Sequence, residues 1–232
     1  MNNSEVFKDR VEAGRELGNR LNQLSLTRPV VLGIPRGGVA TAAAIAELIG
    51  AELDIVLSRK LAAPNQPELA VGAVGEDGSV YHDRATQSMV AASPAYLARE
   101  IEHQLAEIAR RKTMFRAVRP AASLQGRSVI VTDDGVATGS TLLAALQTVR
   151  LQQPAELIVA VPVAPPDRLD AIRQHCDRLL CLESPRDFYA VGQFYLSFDQ
   201  VSDEEVLELL QKHWSEKQSE ASGISPPALR SN

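Results

Sequence analysis

The chain has 232 residues, a formal net charge of −5, 45% hydrophobic residues and only 4% aromatic ones. That length suits one α/β domain with its own core, and the acidic balance argues against a surface that coats nucleic acid. No apolar run is long enough to span a bilayer, Met1 to Val6 lacks a basic-then-apolar pattern, and Cys176 and Cys181 match no zinc spacing. The expectation is a cytoplasmic protein with reduced thiols and neither a membrane nor a nucleic-acid partner.

In chain order, Phe7, Val11, Leu17, Leu21 and Leu24 recur at helical spacing among charged residues, predicting an amphipathic helix over 5–24. Residues 29–34 read as the first buried strand, closed by Pro35-Arg36-Gly37-Gly38-Val39 and a small-residue helix. Glycines there let backbone N–H groups approach an anion, and Arg36 adds a forked cation. Residues 53–57 form the next strand, with Arg59 and Lys60 at its C-terminal end, where open α/β sheets place ligands. Pro64 and Pro67 then predict an irregular, mobile cover, with the role of Glu68 left open. Residues 71–75 and 79–81 predict a hairpin around Glu76-Asp77-Gly78. Ser93-Pro94 starts a long helix to about Arg116, whose cluster Arg110-Arg111-Lys112 reads as favouring the helix dipole.

The most informative stretch is Val129-Ile130-Val131-Thr132, followed by Asp133, Asp134, Gly135, Val136, Ala137, Thr138, Gly139, Ser140 and Thr141. A buried strand ends in two carboxylates, and a small-residue loop opens a helix whose N-terminus favours phosphate. It has neither the Lys of the P-loop nor the glycine spacing of dinucleotide binding. Two carboxylates would repel a bare phosphate, but each accepts well from a sugar hydroxyl. The pattern therefore suits a ribose 5-phosphate, hydroxyls on the acidic pair and phosphate in the loop.

Further along, residues 156–163 and 178–182 read as strands flanking a helix over 167–175. The alternation predicts a doubly wound, mainly parallel sheet with helices on both faces. Residues 184–195 hold four of the chain's Phe and Tyr residues, and either stack a planar ligand or pack as core. Ser202-Asp203-Glu204-Glu205 is a capping box for a last helix to about Trp214, and 215–232 read as a disordered tail after a single domain over 1–214.

Val129 to Thr141 resembles, without gaps, the phosphoribosyl pyrophosphate (PRPP) signature of the type I phosphoribosyltransferases. The resemblance covers most of residues 5–212 and implies PRPP binding by Asp133, Asp134 and residues 135–141. It implies pyrophosphate binding by Arg36, Gly37 and Gly38, with Lys60 as a second contact. The pyrophosphate loop of the family often holds a cis peptide. It further implies a flexible loop or hairpin that closes over the donor, and a C-terminal hood near 183–200 that binds the acceptor base. Phe188, Tyr189 and Val136 are the expected base contacts. The implied activity is transfer of the phosphoribosyl group from PRPP to a nitrogenous acceptor, with Asp133, Asp134, Arg36 and Lys60 as catalytic residues. Mg2+ is the implied cofactor, held through PRPP and water rather than by a protein metal site. A PRPP- or nucleotide-binding regulator and a phosphate-ester hydrolase or phosphorylase stay open on the same cradle, as does assembly into a homodimer. One residue departs from the 6-oxopurine salvage pattern: Ala137 stands where those enzymes carry an aspartate.

Overall fold

The computed structural model describes residues 7–221. Its centre is a five-stranded parallel sheet in the order β2-β1-β6-β7-β8. The strands are β1 (Val30–Gly33), β2 (Glu52–Ile55), β6 (Ser128–Thr132), β7 (Glu156–Val163) and β8 (Arg178–Glu183). Strand periodicity sorts their side chains cleanly onto two faces. Val31, Ile130, Ile158 and Ala160 enter one core, shared with α1 (Arg10–Leu21), α2 (Gly37–Ile49) and α7 (Asp203–Ala221). Val30, Leu32, Val129, Val131, Val159 and Val161 enter the other, under α5 (Ser140–Leu151) and α6 (Pro166–Arg173). Burial on both faces explains why these strands read as continuous apolar runs.

A second, antiparallel sheet of β3 (Ser58–Ala63), β4 (Gln66–Gly75) and β5 (Val80–His82) lies between α4 (Pro94–Phe115) and α5. This corrects the expectation of an irregular cover over 58–68. Pro64 falls in the β3–β4 turn beside Asn65, whose φ is +60°, and Pro67 sits where the pairing shifts register. Proline is tolerated at such irregular positions, so the strands continue on either side. Leu61, Val71, Ala73 and Val74 are completely buried, which fixes the base of this sheet to the core. The side chain of Glu68 lies outside the described residues. A short helix, α3 (Arg84–Met89), follows β5 and was not anticipated from the sequence.

The helix starts follow their capping residues. Asp9 accepts from the Glu12 N–H at 2.9 Å, and Ser93 from the Tyr96 N–H at 3.2 Å ahead of Pro94. Ser202 and Glu205 exchange hydrogen bonds at 3.1 and 2.6 Å, the expected capping box. Two ends differ from expectation. The first helix begins at Arg10 rather than near residue 5, because Phe7 leaves it to bridge Tyr195. The last continues through Ala221 instead of stopping at Trp214, and residues 222–232 of the expected tail lie outside the described residues. Cys181 sits in β8, and the two thiols form no disulfide.

Candidate functional site

Strand register assembles the site. Gly33 of β1 stands level with Thr132 of β6, so the two following loops leave the sheet side by side at its C-terminal edge. The Ile34 N–H donates to the Thr132 carbonyl at 3.0 Å and keeps them together. The Pro35–Arg36 peptide is cis, in the loop where the family resemblance led one to expect it. Gly37 and Gly38 then pass against the acidic pair. A Cβ on Gly37 would lie 1.9 Å from Asp134 Oδ2, and one on Gly38 2.8 Å from the Asp133 Cα. Glycine is demanded there by the neighbouring loop as well as by any ligand.

After the acidic pair the chain turns inward. The Val136 N–H is used by the Val163 carbonyl at 2.8 Å. Gly139, at φ +79°, then reverses the chain into α5, a left-handed conformation that glycine adopts without cost. The N–H groups of Ala137, Thr138, Gly139 and Thr141 have no acceptor among the described residues. Unsatisfied donors at a helix start suit an anion. The Thr138 and Ser140 hydroxyls, 3.4 Å apart, border them.

The acidic pair is unevenly compensated. Arg10, from α1, donates its Nε to Asp134 Oδ2 at 2.8 Å and an Nη to the Asp199 carbonyl at 2.8 Å, while its guanidinium rests 3.9 Å above the Phe198 ring. Among the described residues the Asp133 carboxyl accepts only the Asp134 N–H, at 2.9 Å. Burial, and then the Asp134 charge beside it, hold the Asp133 carboxyl well above the usual carboxylate range. Tyr195 donates its hydroxyl to the Asp134 carbonyl at 2.6 Å, and burial followed by the Asp134 charge push that phenol up, keeping it a neutral donor.

Two adjoining cavities open at this edge. One, of about 610 Å³, lies between Thr138, Ser140 and Thr141 of the cradle, Lys60 of β3 and Arg111 of α4. The other, of about 460 Å³, is lined by Arg10, Arg36, Gly37 and Phe198, with Pro35 and Arg111 common to both. The structure thus gathers Asp133, Asp134, Gly135–Thr141, Arg36, Gly37, Gly38 and Lys60 at one end of the sheet. The expected base contacts fare differently. Phe188 packs on Phe194 with ring centres 5.3 Å apart, Tyr189 is 90% exposed, and Val136 is 3% exposed in the core beneath the loop. None of the three lines the cavity beside Arg36; the aromatic ring that does is Phe198.

Three contributors went unread in the sequence, Arg10, Arg111 and Phe198, while Tyr195 was read only as one of the aromatics of 184–195. Arg10 looks like one more charge on a solvated helix face, and Arg111 sits in a basic cluster that the helix dipole explains equally well. Only the strand order, which sequence periodicity does not encode, brings them to this edge.

The phosphoribosyl transferase domain family matches residues 8–199, and the chain belongs to it. A Mycobacterium tuberculosis H37Rv protein named "Putative phosphoribosyl transferase Rv0571c" is 43% identical over 208 residues, which cover 89% of this chain. The same identity and coverage hold for its counterpart in strain CDC 1551. The chain spans about half, 47%, of the length of these curated relatives. The crystal structure of TT1426 from Thermus thermophilus is 43% identical and superposes with a TM-score of 0.86, covering 89% of this chain and 98% of that one. Among the described residues no helix is long and apolar enough to cross a membrane.

Proposed function

We propose that the protein transfers the 5-phosphoribosyl group of PRPP to a nitrogen of a base or related acceptor, releasing pyrophosphate. The observation that carries this reading is the meeting of three subsites at one sheet edge. Asp133 and Asp134 offer acceptors for ribose hydroxyls, the unsatisfied N–H groups of the 137–141 loop suit the 5-phosphate, and Arg36 with Gly37 and Gly38 suits pyrophosphate. Arg10 occupies one oxygen of Asp134, and the other is left for a hydroxyl.

In the reaction the acceptor nitrogen bonds to C1 of the ribose as the bond from C1 to the pyrophosphate oxygen breaks, the bonding pair leaves with pyrophosphate, and the nitrogen's proton passes to water. Positioning both reactants and stabilising charge on the leaving group supply the rate. Guanidinium and backbone donors near Pro35 face that developing charge. Among the described residues no three or more carboxylate, His or Cys groups gather to hold a metal. A Mg2+ ion would be held mainly through PRPP and water. When bound, the ion neutralises part of the pyrophosphate charge.

Incubation with PRPP, Mg2+ and a panel of bases, read by pyrophosphate release, tests the proposal. Release that requires an added base is the expected result. Release without any base identifies a hydrolase, and PRPP binding without release identifies a regulator. Ala137, with no proton to give or take, makes hypoxanthine and guanine poor acceptors, because general acid–base help worth about 10²–10⁴-fold is missing there. Robust turnover of either purine overturns that part of the reading.

A further inference from the structure

Resting on the PRPP reading above, the geometry points to Arg111 as a second guanidinium that holds the leaving pyrophosphate, opposite Arg36. The residue comes from α4, far in sequence from both anion loops. Gln104, Glu107, Ile108 and Arg111 follow one another at helical spacing, and all four line the larger cavity. Ile108, 4% exposed, anchors that face of the helix in the core.

The basic cluster at the end of α4 is divided by its surroundings. Arg110 points to solvent. Lys112 donates to the Glu76 carbonyl at 2.9 Å, and Arg116, one turn on, is bound by Glu76 and Asp54. Glu107, the carboxylate four residues before Arg111, pairs instead with Arg59 at 3.4 Å. Arg111 itself is half-buried and has no hydrogen-bond or ion-pair partner among the described residues. A partly desolvated guanidinium without a counter-charge is costly, and an anion in the cavity removes that cost.

Its position selects which anion. Pro35 and Arg111 are the two residues that line both cavities, so Arg111 stands against the loop assigned to pyrophosphate. Arg36, whose side chain likewise has no protein partner among the described residues, lies on the other side of Pro35 in the second cavity. Two forks flanking one loop match a ligand with two linked phosphates, each able to take a bidentate contact. The 5-phosphate has the backbone donors of residues 137–141 instead. As C1 separates from the pyrophosphate oxygen, negative charge grows on the group between the two guanidiniums, which makes Arg111 a catalytic residue of the transfer.

Calorimetry of wild type, Arg111→Met, Arg111→Lys and the exposed control Arg110→Met tests the assignment, with Mg2+–PRPP, Mg2+–pyrophosphate and ribose 5-phosphate as ligands. Arg111→Met is expected to weaken PRPP and pyrophosphate by about 10–100-fold, the size of a lost charge-assisted hydrogen bond, and to leave ribose 5-phosphate within about 2-fold. Arg111→Lys recovers part of the loss, and Arg110→Met changes nothing. Unchanged pyrophosphate affinity in a folded Arg111→Met protein overturns the assignment, as does an equal loss for ribose 5-phosphate. If wild type binds neither PRPP nor pyrophosphate, the reading of the whole site fails instead.

Discussion

Among the described residues, two part-buried clusters of carboxylates and guanidiniums behave in opposite ways. Along the edge strand β2, Glu52 and Asp54, with Glu76, face Arg116, Arg119 and Arg127. Asp54, 2% exposed, also accepts the Ala122 and Ile55 N–H groups at 2.7 and 2.8 Å. Burial alone would raise the Glu52 carboxyl, yet hydrogen bonds from Arg119 and Arg127 hold it below its ordinary range. At the other cluster Asp133 and Asp134 share the single cation Arg10, and Asp133 is pushed up rather than down. The first cluster is saturated and staples the connection after α4 to the sheet. The second has one cation for two carboxylates: Arg10 pairs with Asp134, and Asp133 is left without a cation of its own. Residue types are the same in both; the number of partners differs.

Breaking the saturated cluster has the largest expected effect. Arg116→Met strands Asp54 and Glu76 without their shared cation, and loss of one partner from a buried ionic group costs about 3–5 kcal/mol. Urea unfolding measures it directly. The remaining folded protein keeps its PRPP affinity, because Arg116 does not line either cavity at the site. A cost below about 1 kcal/mol would show that this cluster is not closed.

The open cluster separates stability from binding. Asp134→Asn keeps the fold and weakens PRPP by about 1.5–3 kcal/mol, through loss of a charged hydrogen-bond acceptor. Asp133→Asn moves stability the other way. In the folded protein the Asp133 carboxyl keeps its proton at a pH where the unfolded chain has lost it, so raising the pH costs native stability. The amide removes that cost while still accepting the Asp134 N–H. The variant should therefore melt higher than wild type at pH 8, and its advantage should shrink as the pH falls toward about 3.9, the unfolded aspartate value. In a chain of this size about 2–4 °C corresponds to ~1 kcal/mol. A variant that melts lower at pH 8 than wild type would refute the proposed strain.

The same contrast explains what the sequence made legible. The parallel strands are apolar on both faces, and their loops carry Gly37-Gly38 and Asp133-Asp134 as contiguous, type-specific patterns, so the sheet and the loops at its C-terminal edge could be read directly. The antiparallel β3–β4 pair was obscured by Pro64 and Pro67, which punctuate a hairpin as readily as they mark a loop. Arg10 and Arg111 were obscured for a different reason. Each is one of several charges on an amphipathic helix, and only the tertiary placement of α1 and α4 gives that one charge an anionic neighbour or an empty cavity. The hood was legible as a cluster of aromatics but not in its interior: Phe194 and Tyr195 are buried by contacts with Phe7 and Phe188 that no local spacing announces.

That last distinction yields the smallest expected effect. Tyr189, at 90% exposure, contributes its backbone N–H to the Gln193 side chain, and its ring contacts neither cavity. Tyr189→Ser keeps that N–H, so stability should stay within about 0.5 kcal/mol and acceptor KM within about 2-fold. Phe198 is the internal control. Its ring supports the Arg10 guanidinium at 3.9 Å and stacks on Tyr195 at 5.0 Å, walling the cavity beside Arg36. Phe198→Ser removes a cation–π contact of about 0.5–1 kcal/mol together with that wall, and should raise acceptor KM more than Tyr189→Ser does. A larger rise in KM for Tyr189→Ser than for Phe198→Ser would return the acceptor to the exposed tip of the hood, where the aromatic pattern of the sequence first pointed.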